Sequence, residues 1–334
     1  MSKQFWIDQF APTDSELQSS FLNLNITDCK STVEEIGFSS ASGVSYDSAE
    51  NRVFGFDEIV VKFYRPGRWS KEAIEEEFVF LKDLQDHGVS FVRPIGEVGT
   101  WKGLNYIVYE RVARPYVDDR SILDEESVKR MVHTVAQIHK VGAKREASHR
   151  PFFNPKDMGE GCFEVIQRAG FLPTSQFKRY EDVISELVRK VASFGDIPIQ
   201  RIHGDTYSGN VLWKGSHPIF MDLDDFQVGP VAIDVKLLSF PWRLDSLSEQ
   251  MDRRERRAIQ NEMVLKFYRE VNDFPKEWEK LFPLLSVYRD IQFDAWFSAR
   301  WNEPGFAKNY EDDDITQESW WLENLEGLED LLNS

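Results

Sequence analysis

The spacing of apolar residues changes once along this chain, and that change constrains the fold more than any other feature. Residues 52–56 and 59–64 are β-rich runs separated by Asp57-Glu58, the pattern of a hairpin. Two more strand-like runs follow at 92–98 and 104–110, joined through Trp101-Lys102-Gly103. Between the two pairs, after the turn residues Arg65-Pro66-Gly67, Ile74, Phe78, Leu81 and Leu84 recur at helical spacing. Ser70 suits the N-cap of that helix and Gly88 its end. Beyond Glu110 the helical period takes over. Val128, Met131, Val132, Val135 and Ile138 form a stripe ending at Gly142, and Tyr180, Ile184, Leu187 and Val191 form another ending at Gly195. Leu281, Leu284, Leu285, Tyr288 and Ile291 mark a third, and Trp321, Leu325, Leu328 and Leu332 a last one. A strand-rich third with one helix, followed by a helix-rich remainder, predicts an α+β chain of two lobes. The lobes are expected at residues 1–112 and 113–334, hinged near 110–115.

At 334 residues, 41% of them hydrophobic, the chain is long enough for two sub-domains and can bury a large core. Its 57 acidic against 40 basic residues leave a net charge of −17, which excludes nonspecific binding to nucleic acid or anionic membranes. No run of 18 apolar residues and no signal peptide is present, so a soluble cytoplasmic protein is expected. Cys29 and Cys162 are too few for a disulfide framework and are read as reduced thiols.

One stretch interrupts the helices and carries chemistry. Ile202-His203-Gly204-Asp205-Thr206-Tyr207-Ser208-Gly209-Asn210 is followed by Phe220-Met221-Asp222-Leu223-Asp224-Asp225. An Asp on a tight loop, an Asn five residues on and an Asp after a short strand form a phosphoryl-transfer set. In such a set Asp205 would accept a substrate hydroxyl proton, while Asn210 and Asp222 would offer hard oxygens to a Mg²⁺ ion on the phosphates of ATP. The apolar runs 211–213 and 219–221 read as a β-hairpin that brings Asn210 and Asp222 together. As an ordinary surface loop, four fixed residues at fixed spacing would arise in a chain this long only about twice in a thousand sequences.

These residues resemble the HGDxxxxN and downstream Asp motifs of the aminoglycoside phosphotransferase and choline kinase group, which shares the protein kinase fold. Glu50-Asn51-Arg52-Val53, Val61-Lys62-Phe63-Tyr64-Arg65-Pro66-Gly67-Arg68-Trp69, Gly229-Pro230 with Asp234, and Arg300-Trp301 through Pro304 to Lys308-Asn309 look like the bacterial stress response kinase A family. The likeness runs from about residue 46 to 321. It implies a bilobal protein-kinase-like fold and a cytoplasmic, monomeric serine/threonine protein kinase. The acceptor is then Ser or Thr on a protein, the chain itself included; a small amino alcohol or aminoglycoside is the alternative. A catalytically silent nucleotide-binding scaffold is a third reading, against which Lys62, Asp205, Asn210 and Asp222 stand intact.

In that frame Lys62 would hold the α- and β-phosphates, paired with a carboxylate of the following helix. Glu77 is preferred by its spacing to Leu81 and Leu84, leaving Glu75 and Glu76 on a solvated acidic face. No GxGxxG is present; residues 43–52 take its place, with Ser48 as a hydroxyl able to reach phosphate. Adenine would contact main chain around 109–112, Glu110 included. His203, Asp224 and Asp234 are read as supporting residues, Asp224 as a neighbour of the metal or a ligand of a second one, and Asp234 as a buttress of the catalytic loop. Six residues separate Asp222 from Gly229, too few for a phosphorylated activation loop, so no such switch is expected. His139 is read as a packed histidine, Arg253, Arg254, Arg256 and Arg257 as a solvated helix face, and Trp296, Trp301, Trp320 and Trp321 as C-terminal packing.

Overall fold

The structure, a computed structural model, describes residues 2–10, 15–46, 48, 50–112, 117–118, 121–239, 242–248, 250–303 and 317–333. Residues 113–115 of the expected hinge, Asp47, Ala49, Asp119, Pro304, Lys308 and Asn309 lie outside the described residues, as do the side chains of Asp118, Arg253 and Trp320.

Three short helices come first: α1 (Lys3–Asp8), α2 (Ser15–Leu22) and α3 (Ile26–Glu35). They correct the expectation that the first third holds strands and a single helix. Helices this short carry no sustained apolar stripe and are marginal alone. A capping box between Asn25 and Asp28 starts α3, and packing on the sheet holds it. The strand runs then appear as β1 (Val44–Tyr46), β2 (Arg52–Gly55) and β3 (Ile59–Phe63), followed by α4 (Lys71–Asp86), β4 (Pro94–Trp101) and β5 (Leu104–Glu110). Next come β6 (Val117–Asp118), β7 (Ile122–Leu123), α5 (Glu125–Gly142), α6 (Pro155–Ala169) and α7 (Phe177–Ala192). The interruption contains β8 (Gln200–Ile202), β9 (Val211–Lys214) and β10 (His217–Phe220), after which β11 (Gln227–Gly229), α8 (Ala232–Leu237) and β12 (Arg243–Leu244) follow. Helices α9 (Arg253–Arg269), α10 (Phe282–Arg300) and α11 (Gln317–Asn333) complete the order.

The described residues form two compact units. One comprises 14–151 and 199–276, the other 1–13, 152–198 and 277–334. The first is built on a five-stranded antiparallel sheet in the order β1-β2-β3-β5-β4. Side chains alternate across a strand, so Ile59, Val61 and Phe63 of β3 share one face and Lys62 points to the other. The apolar face is covered by Phe21, Leu24, Cys29 and Val33 of the N-terminal helices. Helix α4 is capped as expected, Ser70 Oγ accepting from the Ala73 amide at 3.2 Å, and buries Ala73, Ile74, Glu77, Phe80, Leu81 and Leu84. Helix α5 ends where expected, at Gly142, and the glycine lets β8 pass so close that a Cβ there would overlap the Arg201 carbonyl oxygen.

In the second unit α1 packs on α6, and α6, α7, α10 and α11 pack on one another. Trp301 and Trp321 both meet the Phe171 ring, the C-terminal packing that was expected of them. At its centre Asp294 accepts from the Tyr180 hydroxyl at 2.8 Å and from the Asn324 amide at 2.9 Å. Burial pushes this carboxyl up to about 7. Cys29 and Cys162 are both free and buried, and burial pushes the Cys29 thiol up to about 12. No helix among the described residues is long and apolar enough to cross a membrane.

Candidate active site

Strand β3 projects Lys62 from the sheet face opposite Val61, toward the buried carboxylates of Glu77 and Asp224 and the more exposed one of Asp222. Its Nζ lies 2.8 Å from Asp222 Oδ1, 3.5 Å from Asp224 Oδ1 and 3.7 Å from Glu77 Oε1. Burial alone would lower the pKa of this ammonium; Asp222, Asp224 and Glu77 together overcome that and hold it well above its usual value. Glu77 lies on the apolar face of α4, fully buried, so both of its oxygens need partners. Oε1 accepts from the Tyr64 hydroxyl at 2.6 Å, and Oε2 from Arg150 Nη2 at 2.5 Å. Burial, and next the Glu77 charge, raise the pKa of Tyr64, so its proton stays in that bond.

The hairpin forms as the apolar runs foretold. Strands β9 and β10 pair with Val211 opposite Phe220, and the Met221 amide donates to the Asn210 carbonyl at 3.0 Å, which sets Asp222 beside Asn210. Asp222 adopts φ +62°, a left-handed conformation that Asp tolerates better than most side chains. Asn210 Nδ2 donates to both the carbonyl oxygen and Oδ2 of Asp205, each at 2.9 Å. Below this loop Asp234 accepts from the amides of His203 and Gly204, each at 2.8 Å, and Thr206 Oγ1 donates to its carbonyl at 2.7 Å. Gly204 has φ +87°, and a Cβ there would collide with the Asp225 carbonyl. His139 is packed and hydrogen-bonded as expected, with Nε2 2.9 Å from Asp234 and Nδ1 2.7 Å from the Tyr268 hydroxyl. His203 Nε2 meets the Met221 carbonyl at 3.1 Å, tying the loop to the segment that carries Asp222.

Around Lys62 lies a wider ion-pair network that sequence reasoning missed. Arg68 binds the carboxylates of Asp224 and Asp225, and its Nε is 3.7 Å from Glu50, which also pairs with Arg65 at 3.1 Å. Asn51 Nδ2 donates to Asp224 Oδ2 at 3.2 Å. Burial would raise the Asp224 pKa, but Arg68, Lys62 and Arg150 hold its carboxyl well below the usual carboxylate range. Arg68 stands in a run quoted for its family likeness, which was its only signal; Arg150, a single cation in a loop, had none.

Other expected site residues fall as follows. Ser48 Oγ accepts from the Asn51 amide at 3.3 Å, so Asn51 links it to Asp224. Glu110 is exposed: its carboxylate lies 3.9 Å from Arg93 and its amide donates to the Arg93 carbonyl at 2.8 Å, apart from the groups gathered at Lys62. Glu75 pairs only loosely with Lys71 on the surface, at 3.7 Å. Glu76 is partly exposed beside it, and its carboxylate also accepts from the Ser148 and His149 amides at 2.6 and 2.9 Å. Among the described residues no three His, Cys, Asp or Glu side chains form a group able to hold a metal by themselves.

Residues 44–272 match the model of the phosphotransferase enzyme family. Serine/threonine protein kinase RdoA of Salmonella typhimurium is 31% identical over 302 residues, covering 86% of both chains. Stress response kinase A of Escherichia coli K12 is 29% identical over 300 residues, again covering 86% of both. Among solved structures, amicoumacin kinase hAmiN in complex with AMP-PNP, Ca²⁺ and Ami superposes with a TM-score of 0.72 at 15% identity, covering 96% of both chains. A microcompartment-associated aminopropanol kinase follows at 0.67 and 15%, covering 92% of this chain and 95% of its own. The gentamicin complex of APH(2")-IIa gives 0.60 at 15%, covering 89% and 99%. At such identity these structures establish the fold, the protein-kinase-like α+β architecture anticipated from the pattern of strands and helices.

Proposed function

The chain belongs to the phosphotransferase enzyme family and is a kinase, and from that premise we propose that it transfers the γ-phosphoryl group of ATP to serine or threonine hydroxyls of proteins, itself included. The observation that carries this reading is the meeting of Lys62 with Glu77 and Asp222, next to an Asp205 carboxylate held by Asn210. The choice of a protein acceptor rests on the RdoA and stress response kinase names of the relatives.

In this reading Asp205 accepts the proton of the acceptor hydroxyl while the acceptor's own oxygen bonds to the γ-phosphorus. The bond from that phosphorus to the β–γ bridging oxygen breaks, and ADP leaves with the electron pair. Asn210, through its amide nitrogen, holds the Asp205 carboxylate in place. Lys62 contacts the α- and β-phosphates, Ser48 of the covering loop reaches phosphate through its hydroxyl, and main chain around 109–112 contacts the adenine. Asp234 fixes the loop through the His203 and Gly204 amides. The residues also suit a Mg²⁺ ion. Because Asn210 spends its amide nitrogen on Asp205, its side-chain oxygen is the end left for a cation, and the Asp222 side chain is 45% exposed. Two hard oxygen donors match an ion that arrives with phosphates and keeps part of its water shell. When bound by Asn210 and Asp222, Mg²⁺ would neutralise charge on the β- and γ-phosphate oxygens.

The test is label transfer from γ-labelled ATP, with Mg²⁺, in a fractionated cell extract, with Asp205→Ala alongside. Asp205-dependent label on protein Ser or Thr is the expected result. Label confined to a small metabolite would move the chain to the acceptors named for hAmiN and the aminopropanol kinase. ATP binding without transfer would make it a scaffold.

A further inference from the structure

A phosphotransferase with Lys62 at the phosphates must keep α4 in register with the segment 222–225 when Lys62 lets go of its carboxylates. The Lys62–Glu77 contact, at 3.7 Å, is too long to be that tether, and Lys62 is bonded to Asp222 instead, at 2.8 Å. Tyr64 and Arg150 both hold Glu77 closely, and of the two Arg150 also bonds to the segment 222–225. We infer that Arg150 is a positioning residue that locks α4 to the segment 222–225, the register that kinases with a long activation loop obtain by phosphorylating it. The inference rests on the phosphotransfer reading above.

Three nitrogens of one guanidinium make the connection. Nε donates to the Ala73 carbonyl at 3.0 Å and Nη2 to Glu77 Oε2 at 2.5 Å, both on α4. Nη1 donates to the Asp224 carbonyl at 2.7 Å, on the opposite segment. The side chain is fully buried, with Trp69 on one side at 4.4 Å and Phe226 at 4.8 Å. A rigid planar fork satisfies all three acceptors together; an ammonium cannot. The loop that delivers Arg150 is itself fixed at both flanks. Its Ser148 and His149 amides bond to Glu76, the α4 residue next to Glu77, and the Pro151 carbonyl accepts from the Val228 amide at 2.8 Å. When Lys62 turns to phosphate, Glu77 therefore keeps a cation and α4 keeps its anchor. With six residues between Asp222 and Gly229, this lock is built into the fold and needs no modification.

Arg150→Lys, Arg150→Met, Glu77→Gln and the double variant Glu77→Gln/Arg150→Met, made in the full chain, test this. Mg²⁺-dependent binding of a fluorescent ATP analogue, label transfer from γ-labelled ATP to dephosphorylated casein, and thermal melting are measured on each. Arg150→Lys keeps the charge and the fold but loses the fork, so kcat/KM for ATP should fall by about a hundredfold, the size of a misplacement near 1 Å, while KM for casein stays unchanged. Because Arg150 and Glu77 share one of the three bonds of the lock, the double variant should lose less than the product of the two single losses. Wild-type kcat/KM in Arg150→Lys would overturn the inference, as would losses that multiply in full in the double variant. Should Arg150→Met not fold, Arg150→Lys decides alone. A wild-type chain that binds the analogue without Asp205-dependent transfer refutes the phosphotransfer reading, and this inference falls with it; a working wild type with an indifferent Arg150 refutes the inference only.

Discussion

Asp294 makes the stability of the second unit depend on pH in a defined direction. Its carboxyl is 1% exposed, bonded to Tyr180 and Asn324, and raised by burial from 3.8 to about 7. A carboxyl that holds its proton more tightly when folded contributes stability that is fully present below pH 4 and is lost as pH rises through 7. A difference near three pKa units corresponds to ~4 kcal/mol between those limits. Asp294→Asn keeps an acceptor for the Tyr180 hydroxyl and offers an amide to Asn324 once that side chain turns over, yet cannot ionise. Urea unfolding followed by circular dichroism at pH 5 and pH 8 measures the effect. The wild type should lose about 2–4 kcal/mol more than Asp294→Asn between the two pH values, and the variant should be the more stable protein at pH 8. Subtracting one profile from the other removes every group the two proteins share. Parallel profiles would refute the reasoning, because they would mean that Asp294 already ionises in the native state at pH 5.

Arg68→Met should cost about 3–5 kcal/mol in urea unfolding, because the buried Asp224 loses its closest cation; Asp224→Asn in the same chain should restore most of it, and no recovery would argue for packing instead. Gly142→Ala should cost about 1–3 kcal/mol, since its Cβ must push β8 away from α5, and an unchanged melting temperature would show that the two elements separate freely. Asp234→Asn leaves one of the His203 and Gly204 amides poorly paired, so label transfer should fall by about a hundredfold while binding of the ATP analogue stays near wild type; equal loss of both would mean the nucleotide site itself had collapsed.

What could be read before the structure was local. The Ser70 cap, the Gly142 terminus, the hairpin joining Asn210 to Asp222 and the preference for Glu77 each depend on residues a few positions apart, where spacing is a direct image of geometry. The Lys62 partners across the fold came from knowing what phosphates require, not from any periodicity. Arg150 was invisible because its partners lie 73 and 74 residues away, and Arg68 because Asp224 lies 156 away. In sequence a buried arginine in a loop looks like a solvated one. The partners of Glu76 were hidden for the same reason: only the return of residues 148 and 149 to α4 distinguishes it from its exposed neighbour Glu75. Glu110 shows a different limit: a main-chain contact at the hinge leaves no mark on the side chain of any one residue, and here that side chain faces Arg93.

The helices that cover the sheet also impose an order on synthesis. Phe21, Leu24, Cys29 and Val33 leave the ribosome well before Leu104, Tyr106 and Val108, the last residues of the apolar cluster they join. About seventy residues separate the two sets, so at ~5–20 residues per second the nascent chain carries an uncovered apolar segment for roughly 4–14 s. For that interval the segment is a target for holding chaperones and a nucleus for aggregation. Slow codons placed between α3 and β5 should lower the soluble yield of this protein more than the same codons placed after Glu110.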